Sequence, residues 1–470
     1  MIYNNENNTV KDVKIAYIGG GSRGWAWSLM SDLAKAKDIC GSVFLYDIDF
    51  EAAKNNEKIG NSVKDCEGCR SAWKYKATET IKEALGGADF VIISILPATF
   101  DEMHSDVHAP EKYGIYQSVG DTTGPGGIVR ALRTIPMIQE IARAIEKYAP
   151  DAWVINYTNP MAVCVKTLYE TFPKIKAYGC CHEVFGSQDI LIAALKKICN
   201  IKGVSREDIN INVLGVNHFT WITEARYRNI DLFDVYQKFI DYCREANFAL
   251  EDKDHWMNSD FVSGQKVKFD LFERYGAIAA AGDRHLAEFC EKKWYLNNPE
   301  QVKEWGFELT TVDWRKEDLE KRLEKSRRIL SGEQPFEIQN TGEEGVNQIR
   351  ALCGLCRLVT NVNLPNRGQI PNLPMGAVVE TNACFRSNMA EPLFAGEVPE
   401  AIHPLIMRIA DEQLTVVHGG INRDLKEVFK AFVNNPLVDI PVTDAKKLFS
   451  EMVNNTKAYL PDYDLSFLAE

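Results

Sequence analysis

The sequence lacks long hydrophobic runs, and no stretch approaches the roughly 18 apolar residues that span a bilayer. Its N-terminal segment, MIYNNENNTVKD, has neither the basic nor the apolar part of a signal peptide. Basic side chains are outnumbered, with 54 Lys and Arg against 66 Asp and Glu and a net charge of −12. Nucleic acids and membranes are therefore not expected as partners, because both are bound through basic or apolar surfaces. A soluble, cytoplasmic protein is predicted.

Cysteine is too sparse for a disulfide scaffold, at 12 positions among 470 residues, and reduced thiols are expected in the cytoplasm. Two pairs have the C-x-x-C spacing that suggests zinc, namely Cys66 with Cys69 and Cys353 with Cys356. Neither pair has a nearby histidine or a second pair at the usual distance. The spacing alone therefore does not favour a structural zinc site.

The composition is that of a globular protein, with 45% hydrophobic and 26% charged residues. Single hydrophobic cores stop growing at about 250 to 300 residues, so a chain of 470 residues is expected to form two lobes. We predict one domain over residues 1–200 and a second over residues 201–470.

The first domain alternates short β-branched runs with helical patterns, which is typical of a parallel sheet built from βαβ units. The predicted strands are Val13–Ile18, Ser42–Tyr46, Phe90–Ile95, Trp153–Tyr157 and Ile175–Tyr178. Trp25–Leu33 has apolar residues four apart and predicts a helix with one buried face. Beyond residue 200 the alternation weakens, and charged helical stretches such as Lys316–Leu330 appear. The fold class is therefore α/β, with an N-terminal doubly wound, Rossmann-type parallel sheet and a C-terminal mixed α+β lobe.

A glycine-rich loop, GGGSRG, follows the first predicted strand and precedes a helix, and Gly19, Gly21 and Gly24 fit the pattern G-x-G-x-x-G. Glycines allow the sharp turn and the close approach of a pyrophosphate, and the helix N-terminus favours the phosphate charge. Asp47 follows the next strand, where a carboxylate accepts hydrogen bonds from a ribose 2′-OH and repels a 2′-phosphate. With Ser22 as a further contact, the loop predicts NAD binding. The alternative is a plain glycine-rich turn with a surface aspartate.

Polar side chains follow the later strands, at the edge where open α/β sheets bind ligands. Asn159 lies in NYTNP, Cys181 and His182 lie in YGCCHEVFG, and His218 ends the run GVNH. A thiolate and an imidazole bind divalent ions well and leave coordination positions open. A buried cysteine or histidine is more often a packing residue, so spacing alone leaves the metal site open.

A further polar cluster lies in the second domain, within KFDLFERYGAIAAAGDRHLAEF. Tyr275 beside a cation could act as a base, with Asp270 and Arg284 nearby in sequence. The alternative is that Tyr275 ends an amphipathic helix and that Arg284 belongs to a surface turn.

The motifs, taken in order, resemble glycoside hydrolase family 4 over nearly the whole chain: the glycine loop with Asp47, GDTTGPGG, NYTNP, a Cys-His tetrapeptide, GVNH and an NLP stretch. Most glycoside hydrolases use a pair of catalytic carboxylates, whereas this family depends on NAD. The resemblance implies NAD and a divalent metal, usually Mn²⁺, held by Cys181 and His218. It also implies that Asn159 contacts substrate hydroxyls and that Tyr275 is the base, partnered by Asp270.

The tetrapeptide reads CHEV, which resembles the α-galacturonidase branch of that family and differs from its phosphoglycosidases. The implied reaction is transient oxidation at C3, deprotonation at C2 and elimination of the C1 leaving group. His182 would then protonate the departing oxygen, and Arg284 or Arg386 would bind the uronate carboxylate.

The resemblance also implies a homo-oligomer, either a dimer or a tetramer. Three alternatives stay open: an α-glucosidase or α-galactosidase of the same family, an NAD-dependent hydroxy-acid dehydrogenase, and a non-catalytic NAD-binding protein.

Overall fold

The computed structural model describes residues 1–246, 264–460 and 462–469. Its strands are β1 (Ile2–Asn4), β2 (Thr9–Ile18), β3 (Ile39–Tyr46), β4 (Lys74–Thr78), β5 (Phe90–Ile93), β6 (Trp153–Asn156), β7 (Lys176–Gly179), β8 (Ile209–Val216), β9 (Phe219–Tyr227), β10 (Ile230–Asp231), β11 (Ile278–Ala279), β12 (Leu358–Pro365), β13 (Val378–Arg386) and β14 (Met389–Pro392).

The helices of the same residues are α1 (Trp25–Lys35), α2 (Phe50–Ser62), α3 (Ile81–Leu85), α4 (Phe100–His108), α5 (Gly124–Tyr148), α6 (Met161–Thr171), α7 (Glu183–Ile198), α8 (Leu232–Glu245), α9 (Lys266–Tyr275), α10 (Asp283–Glu288), α11 (Lys292–Tyr295), α12 (Pro299–Glu304), α13 (Val312–Leu330), α14 (Gly345–Leu352), α15 (His403–Asn422), α16 (Leu425–Asn434) and α17 (Val442–Thr456). None of these described helices is long and apolar enough to cross a bilayer.

The large sheet contains a parallel core in the order β7-β6-β5-β2-β3-β4. The chain builds outward from β2 in one direction and from β5 in the other, so the order reverses between these two strands. Such a reversal opens a crevice at the carboxyl ends of the strands, which is where doubly wound sheets bind ligands. The predicted Rossmann-type sheet is confirmed.

Both faces of this sheet are covered, as the sequence of β5 illustrates. Its four residues are all buried, and they alternate between two cores: Phe90 and Ile92 pack on one face, and Val91 and Ile93 on the other. A continuous apolar run is expected for a parallel strand with helices on both sides.

The residues after 200 form a smaller antiparallel sheet of β8, β9, β10 and β11 together with most of the remaining helices, and the predicted mixed α+β character is confirmed. Strands β12, β13 and β14 extend the large sheet instead, through an antiparallel contact between β12 and β7. Residues from the second half of the chain are thereby brought next to the strand that precedes Cys181.

Glu412 on α15 is a buried carboxyl group that links three helices. Its oxygens accept hydrogen bonds from Thr123 Oγ1 (3.1 Å), at the start of α5, and from Asn435 Nδ2 (2.6 Å), at the end of α16. Burial raises the pKa of Glu412 to about 7, although these hydrogen bonds and Arg408 oppose the shift.

The unmodified protein is expected to lose stability as the pH rises from about 5 to about 8, and the Glu412→Gln variant is expected to lose less. The raised pKa means that the folded state keeps a proton that the unfolded state has lost, so the free energy of unfolding falls over this interval, by up to about 3 kcal/mol. A neutral glutamine removes this dependence. Urea unfolding at pH 5 and pH 8 measures the free energy of unfolding. The control is Asp411→Asn, at the exposed neighbouring position. Identical pH responses of Glu412→Gln and the unmodified protein would contradict the prediction.

Candidate active site

The glycine loop between β2 and α1 is held against the ends of three strands. The N–H groups of Gly19 and Gly20 both donate to Tyr46 O at 2.9 Å. Gly19 has φ +91°, and a Cβ built on it would overlap Ser94 O, so only glycine fits there. The loop therefore lies at the crevice between β2 and β5, where its N–H groups and the start of α1 suit a phosphate.

Asp47 lies beside this loop at the end of β3. Its carboxylate accepts hydrogen bonds from the N–H groups of Gly21 (2.8 Å) and Asp49 (2.9 Å), which orient it. A Cβ on Gly21 would lie 2.7 Å from Ala52 Cβ and 2.8 Å from Asp47 Oδ2, so a side chain would close this space. Ser22 Oγ accepts from Gly24 N at 3.4 Å and closes the turn. The glycine loop and the adjacent Asp47 carboxylate fit the adenosine half of a dinucleotide.

Cys181 and His218 come from different parts of the chain and lie near the same buried carboxyl groups. Cys181 follows β7, and His218 lies in the two-residue turn that joins β8 to β9. Asn361 Nδ2 donates to Glu380 and to Cys181 O, and Glu380 also accepts from the side chain of Asn217, next to His218. His218 has φ +64°, the left-handed conformation that tight hairpin turns commonly use. Both predicted ligands therefore adjoin the hydrogen-bonded group around Glu380, and their role as metal ligands stays a prediction.

Glu380, from the second half of the chain, accepts hydrogen bonds from residues near Cys181 and His218. Its oxygens accept from Asn361 Nδ2 (2.6 Å) on β12, from Thr220 Oγ1 (2.9 Å) on β9 and from Asn217 Nδ2 (3.4 Å). Asn361 Nδ2 also lies 3.1 Å from Cys181 O. Sequence reasoning assigned no role to Glu380; the one available signal was an acid inside the apolar run AVVE.

Thr122, in the GDTTGPGG turn, selects the tautomer of His218. Its hydroxyl donates to Asp121 Oδ1 at 2.8 Å, and its oxygen lies 3.1 Å from His218 Nδ1. Because the hydroxyl proton is used, the short contact requires that Nδ1 carries the hydrogen, which leaves the Nε2 lone pair available to a cation. Burial raises the pKa of Asp121, but the cationic Arg130 and Arg315 outweigh it and bring the value to about 2.

His285 is a second imidazole in this cluster, and sequence reasoning gave it no role. Its ring centroid lies 4.0 Å from that of His218, and its Nε2 lies 3.7 Å from Glu183 Oε1. Glu183 is held in turn by the N–H of Gly282 at 2.7 Å. The buried Nδ1 of His285 has no hydrogen-bond partner within the described chain, so it is an unsatisfied group that a bound molecule or ion could meet.

His182, the second residue of the CHEV tetrapeptide, is half-exposed and oriented by two residues distant in sequence. Its Nδ1 lies 2.9 Å from Glu343 Oε1, and its ring lies 6.1 Å from that of Trp25, the first residue of α1. Burial lowers the pKa of His182, but the Glu343 carboxylate outweighs it and raises the value to about 9. The contact with Glu343 therefore favours the protonated imidazole of His182 beside the cofactor loop.

The donor set fits a divalent cation. Burial and the charges of Glu380 and Glu183 raise the pKa of the Cys181 thiol, and a bound cation would reverse this effect. Across the described ranges, no three His, Cys, Asp or Glu side chains converge as a complete metal-binding group. A site built on Cys181 and His218 would therefore take its other ligands from substrate oxygens and water.

Asn159 and Arg284 both lie near this cluster. Asn159 O accepts from Arg130 Nε at 3.2 Å, while Asn159 Oδ1 and Arg130 Nη1 are buried without partners within the described residues. Such groups suit substrate hydroxyls. Arg284 donates to Thr310 Oγ1 at 2.7 Å, and burial lowers its pKa although the charges of Glu183 and Asp121 oppose the shift. Arg386 instead pairs with Glu391 at an exposed hairpin.

Tyr275 and Asp270 lie in a neighbouring group of side chains. Tyr275 ends α9 and packs edge-on against Trp221, with ring centroids 5.9 Å apart. Asp270 accepts from Tyr295 OH at 2.5 Å and pairs with Arg274 Nε at 2.9 Å. Burial, with the nearby Cys290, raises the pKa of Tyr275 despite Arg274. These contacts do not include the residues around Cys181, and the role of Tyr275 as the base stays a prediction.

Known proteins resemble this chain over almost its full length. A profile described as family 4 glycosyl hydrolase matches residues 14–197, and one described as family 4 glycosyl hydrolase C-terminal domain matches residues 213–438. An alpha-galacturonidase of Thermoanaerobacterium saccharolyticum is 61% identical over 456 residues, covering 97% of this chain and 98% of the relative. The chain belongs to glycosyl hydrolase family 4. It is therefore a glycoside hydrolase, and the hydroxy-acid dehydrogenase alternative is not supported.

Solved structures show the same family 4 architecture. A Bacillus subtilis protein described as a glucosidase has 50% sequence identity and a TM-score of 0.89, covering 94% of this chain and all (100%) of that one. A 6-phospho-alpha-glucosidase from gut microorganisms, solved in complex with NAD and Mn²⁺, has 18% identity and a TM-score of 0.78, covering 96% of this chain and 100% of that one. The likeness to the second protein concerns the fold.

Proposed function

We propose that this family 4 enzyme is an α-galacturonidase that uses NAD and a divalent metal ion, Mn²⁺, without net redox change. The observation that carries the proposal is that Cys181 and His218 both adjoin the hydrogen-bonded group around Glu380, at the sheet edge that also holds the glycine loop. The 61% identity to an alpha-galacturonidase supports the substrate class.

Two cationic side chains suit an anionic sugar. His182 is half-exposed and the neighbouring Glu343 carboxylate raises its pKa, and Arg284 lies among the polar residues around His218. A guanidinium can bind a carboxylate through two parallel hydrogen bonds. We assign the uronate carboxylate to Arg284, and the sugar hydroxyls to Asn159, whose Oδ1 is buried and without a partner in the described part of the chain.

When bound, NAD supplies reversible oxidation at the sugar C3, and the metal ion, held by Cys181 and His218, supplies Lewis acidity. Oxidation at C3 acidifies the hydrogen at C2, and Tyr275 is the proposed base that removes it, supported by Asp270. His182 donates a proton to the glycosidic oxygen as the C1 bond breaks. Water then adds at C1, the proton returns to C2, and C3 regains its hydride from the reduced cofactor, so the sugar and the cofactor both end at their starting oxidation levels.

The test is release of galacturonate from a short α-linked galacturonide with NAD and Mn²⁺ in D₂O. We expect free galacturonate that carries deuterium at C2, with no accumulation of NADH, because C2 exchanges its hydrogen through the base. Matched reactions that omit NAD, or that contain a chelator, should release no sugar.

Three outcomes would contradict the proposal. Retention of hydrogen at C2 would exclude the elimination route. NADH formed in proportion to product would indicate a dehydrogenase. Faster release from an α-glucoside or an α-galactoside would indicate another branch of family 4.

We further propose that the enzyme works in the cytoplasm as a homo-oligomer, a dimer or a tetramer, and that residues 1–200 and 201–470 act as cofactor-binding and catalytic domains. Light scattering and expression of residues 1–200 alone, followed by an NAD-binding assay, would check these points.

A further inference from the structure

Helix α13 is polar on nearly all sides, and Val312 and Ser326 are its buried residues. It nevertheless lies against the first domain: Lys325 Nζ is 5.9 Å from the ring centroid of Trp27, on α1. Apolar contacts near its two ends also hold it there, because Val312 packs with Met103 and Val107, and Ile329 lies against the core that contains Trp27.

Arg322, on this helix, reaches the glycine loop. A Cβ built on Gly24 would overlap Arg322 Nη1, so the guanidinium occupies the space directly beside the last glycine of the loop. Gly24 immediately precedes α1, whose first N–H groups are the part of the loop suited to phosphate oxygens.

Asp318, one turn earlier on α13, orients this guanidinium. Arg322 Nε donates to Asp318 Oδ2 at 2.7 Å, and the two side chains are 45% and 33% exposed. An ion pair this exposed contributes little to stability. Because the pair engages Nε, it directs the Nη1 end of the planar group toward Gly24.

We propose that Arg322 binds the pyrophosphate of the dinucleotide and closes the glycine loop from the second half of the chain. The inference rests on the NAD binding proposed above. A guanidinium presents two N–H groups that match phosphate oxygens, and it adds a full positive charge to the partial charge of the helix N-terminus. The second half of the chain would thereby contribute directly to cofactor affinity.

Titration calorimetry with NAD, ADP and adenosine tests this role. Arg322→Ala is expected to weaken NAD and ADP about tenfold or more, because both carry the pyrophosphate, and to leave adenosine unchanged. Arg322→Lys should give intermediate values, since it keeps the charge and loses the planar geometry. Raising the salt concentration should weaken NAD binding less in Arg322→Ala than in the unmodified enzyme.

The matched control is Arg327→Ala, on the same helix, where the arginine is 74% exposed and pairs with Glu324; it should leave all three affinities unchanged. Unchanged NAD and ADP affinities in Arg322→Ala would overturn the inference, and so would an equal loss for adenosine, which would indicate a structural role. If the unmodified enzyme bound neither NAD nor adenosine, the proposed function itself would fail.

Discussion

Cys181→Ser is expected to lower kcat by about 1,000-fold or more, because removal of a metal ligand costs several kcal/mol of transition-state stabilisation. A serine hydroxyl is a poor ligand for a divalent ion at neutral pH, so Mn²⁺ affinity should fall as well. The NAD affinity should be unchanged, because the glycine loop and Asp47 are held by their own hydrogen bonds. Electron paramagnetic resonance of free Mn²⁺ measures the metal affinity, and calorimetry measures NAD.

Cys180→Ser is the matched control for this variant. Cys180 is the adjacent buried thiol, and burial and the charges of Glu343 and Glu344, instead of the carboxyl groups near His218, raise its pKa. It should retain Mn²⁺ binding. Full activity of Cys181→Ser after removal of metal, or unchanged Mn²⁺ affinity, would refute the assignment of Cys181 as a ligand.

Arg133→Met is expected to destabilise the protein by about 3 to 5 kcal/mol, because it leaves a buried carboxylate without its counter-ion. Arg133 on α5 and Asp106 on α4 are fully buried, and both terminal guanidinium nitrogens of Arg133 donate to the Asp106 carboxylate. Arg133 Nε also donates to Pro97 O at 3.1 Å. Burial already raises the pKa of Asp106, and loss of the Arg133 charge would raise it further. Urea unfolding measures the free energy.

The double variant Asp106→Leu with Arg133→Met separates the charge effect from loss of packing. It should recover much of the lost stability, because both members of the ion pair are replaced by apolar groups. Arg143→Met, at an exposed position of the same helix, should change the stability by less than about 0.5 kcal/mol. If the double variant were as unstable as Arg133→Met, the unpaired charge would not be the cause.

The parallel sheet could be predicted because its strands carry a local signal. Val13–Ile18 and Ser42–Tyr46 lie within β2 and β3, and Trp25–Leu33 lies within α1. Strand β4 was missed because its sequence, KYKAT, places two lysines at an edge strand and has no continuous apolar run. The joining of β12 to β7 could not be predicted either, because pairing between strands far apart in sequence leaves no local pattern.

Some residues of the candidate site could likewise be predicted from the sequence, and others could not. The glycine loop, Asp47, Cys181 and His218 stand at strand ends, where sequence position already indicates the ligand-binding edge. Glu343 and Glu380 come from other parts of the chain, and no spacing in the sequence connects them to His182 or to Asn217.

The sequence by itself determined the fold class and the family, and it predicted the cofactor loop and the Cys–His pair, because each depends on residue types at short spacings or on an ordered set of motifs. Only the tertiary structure decided which charges surround that pair, which tautomer Thr122 selects for His218, and that Arg322 lies beside Gly24. The last two relations join residues 96 or more positions apart in the sequence, and only the folded chain brings them close.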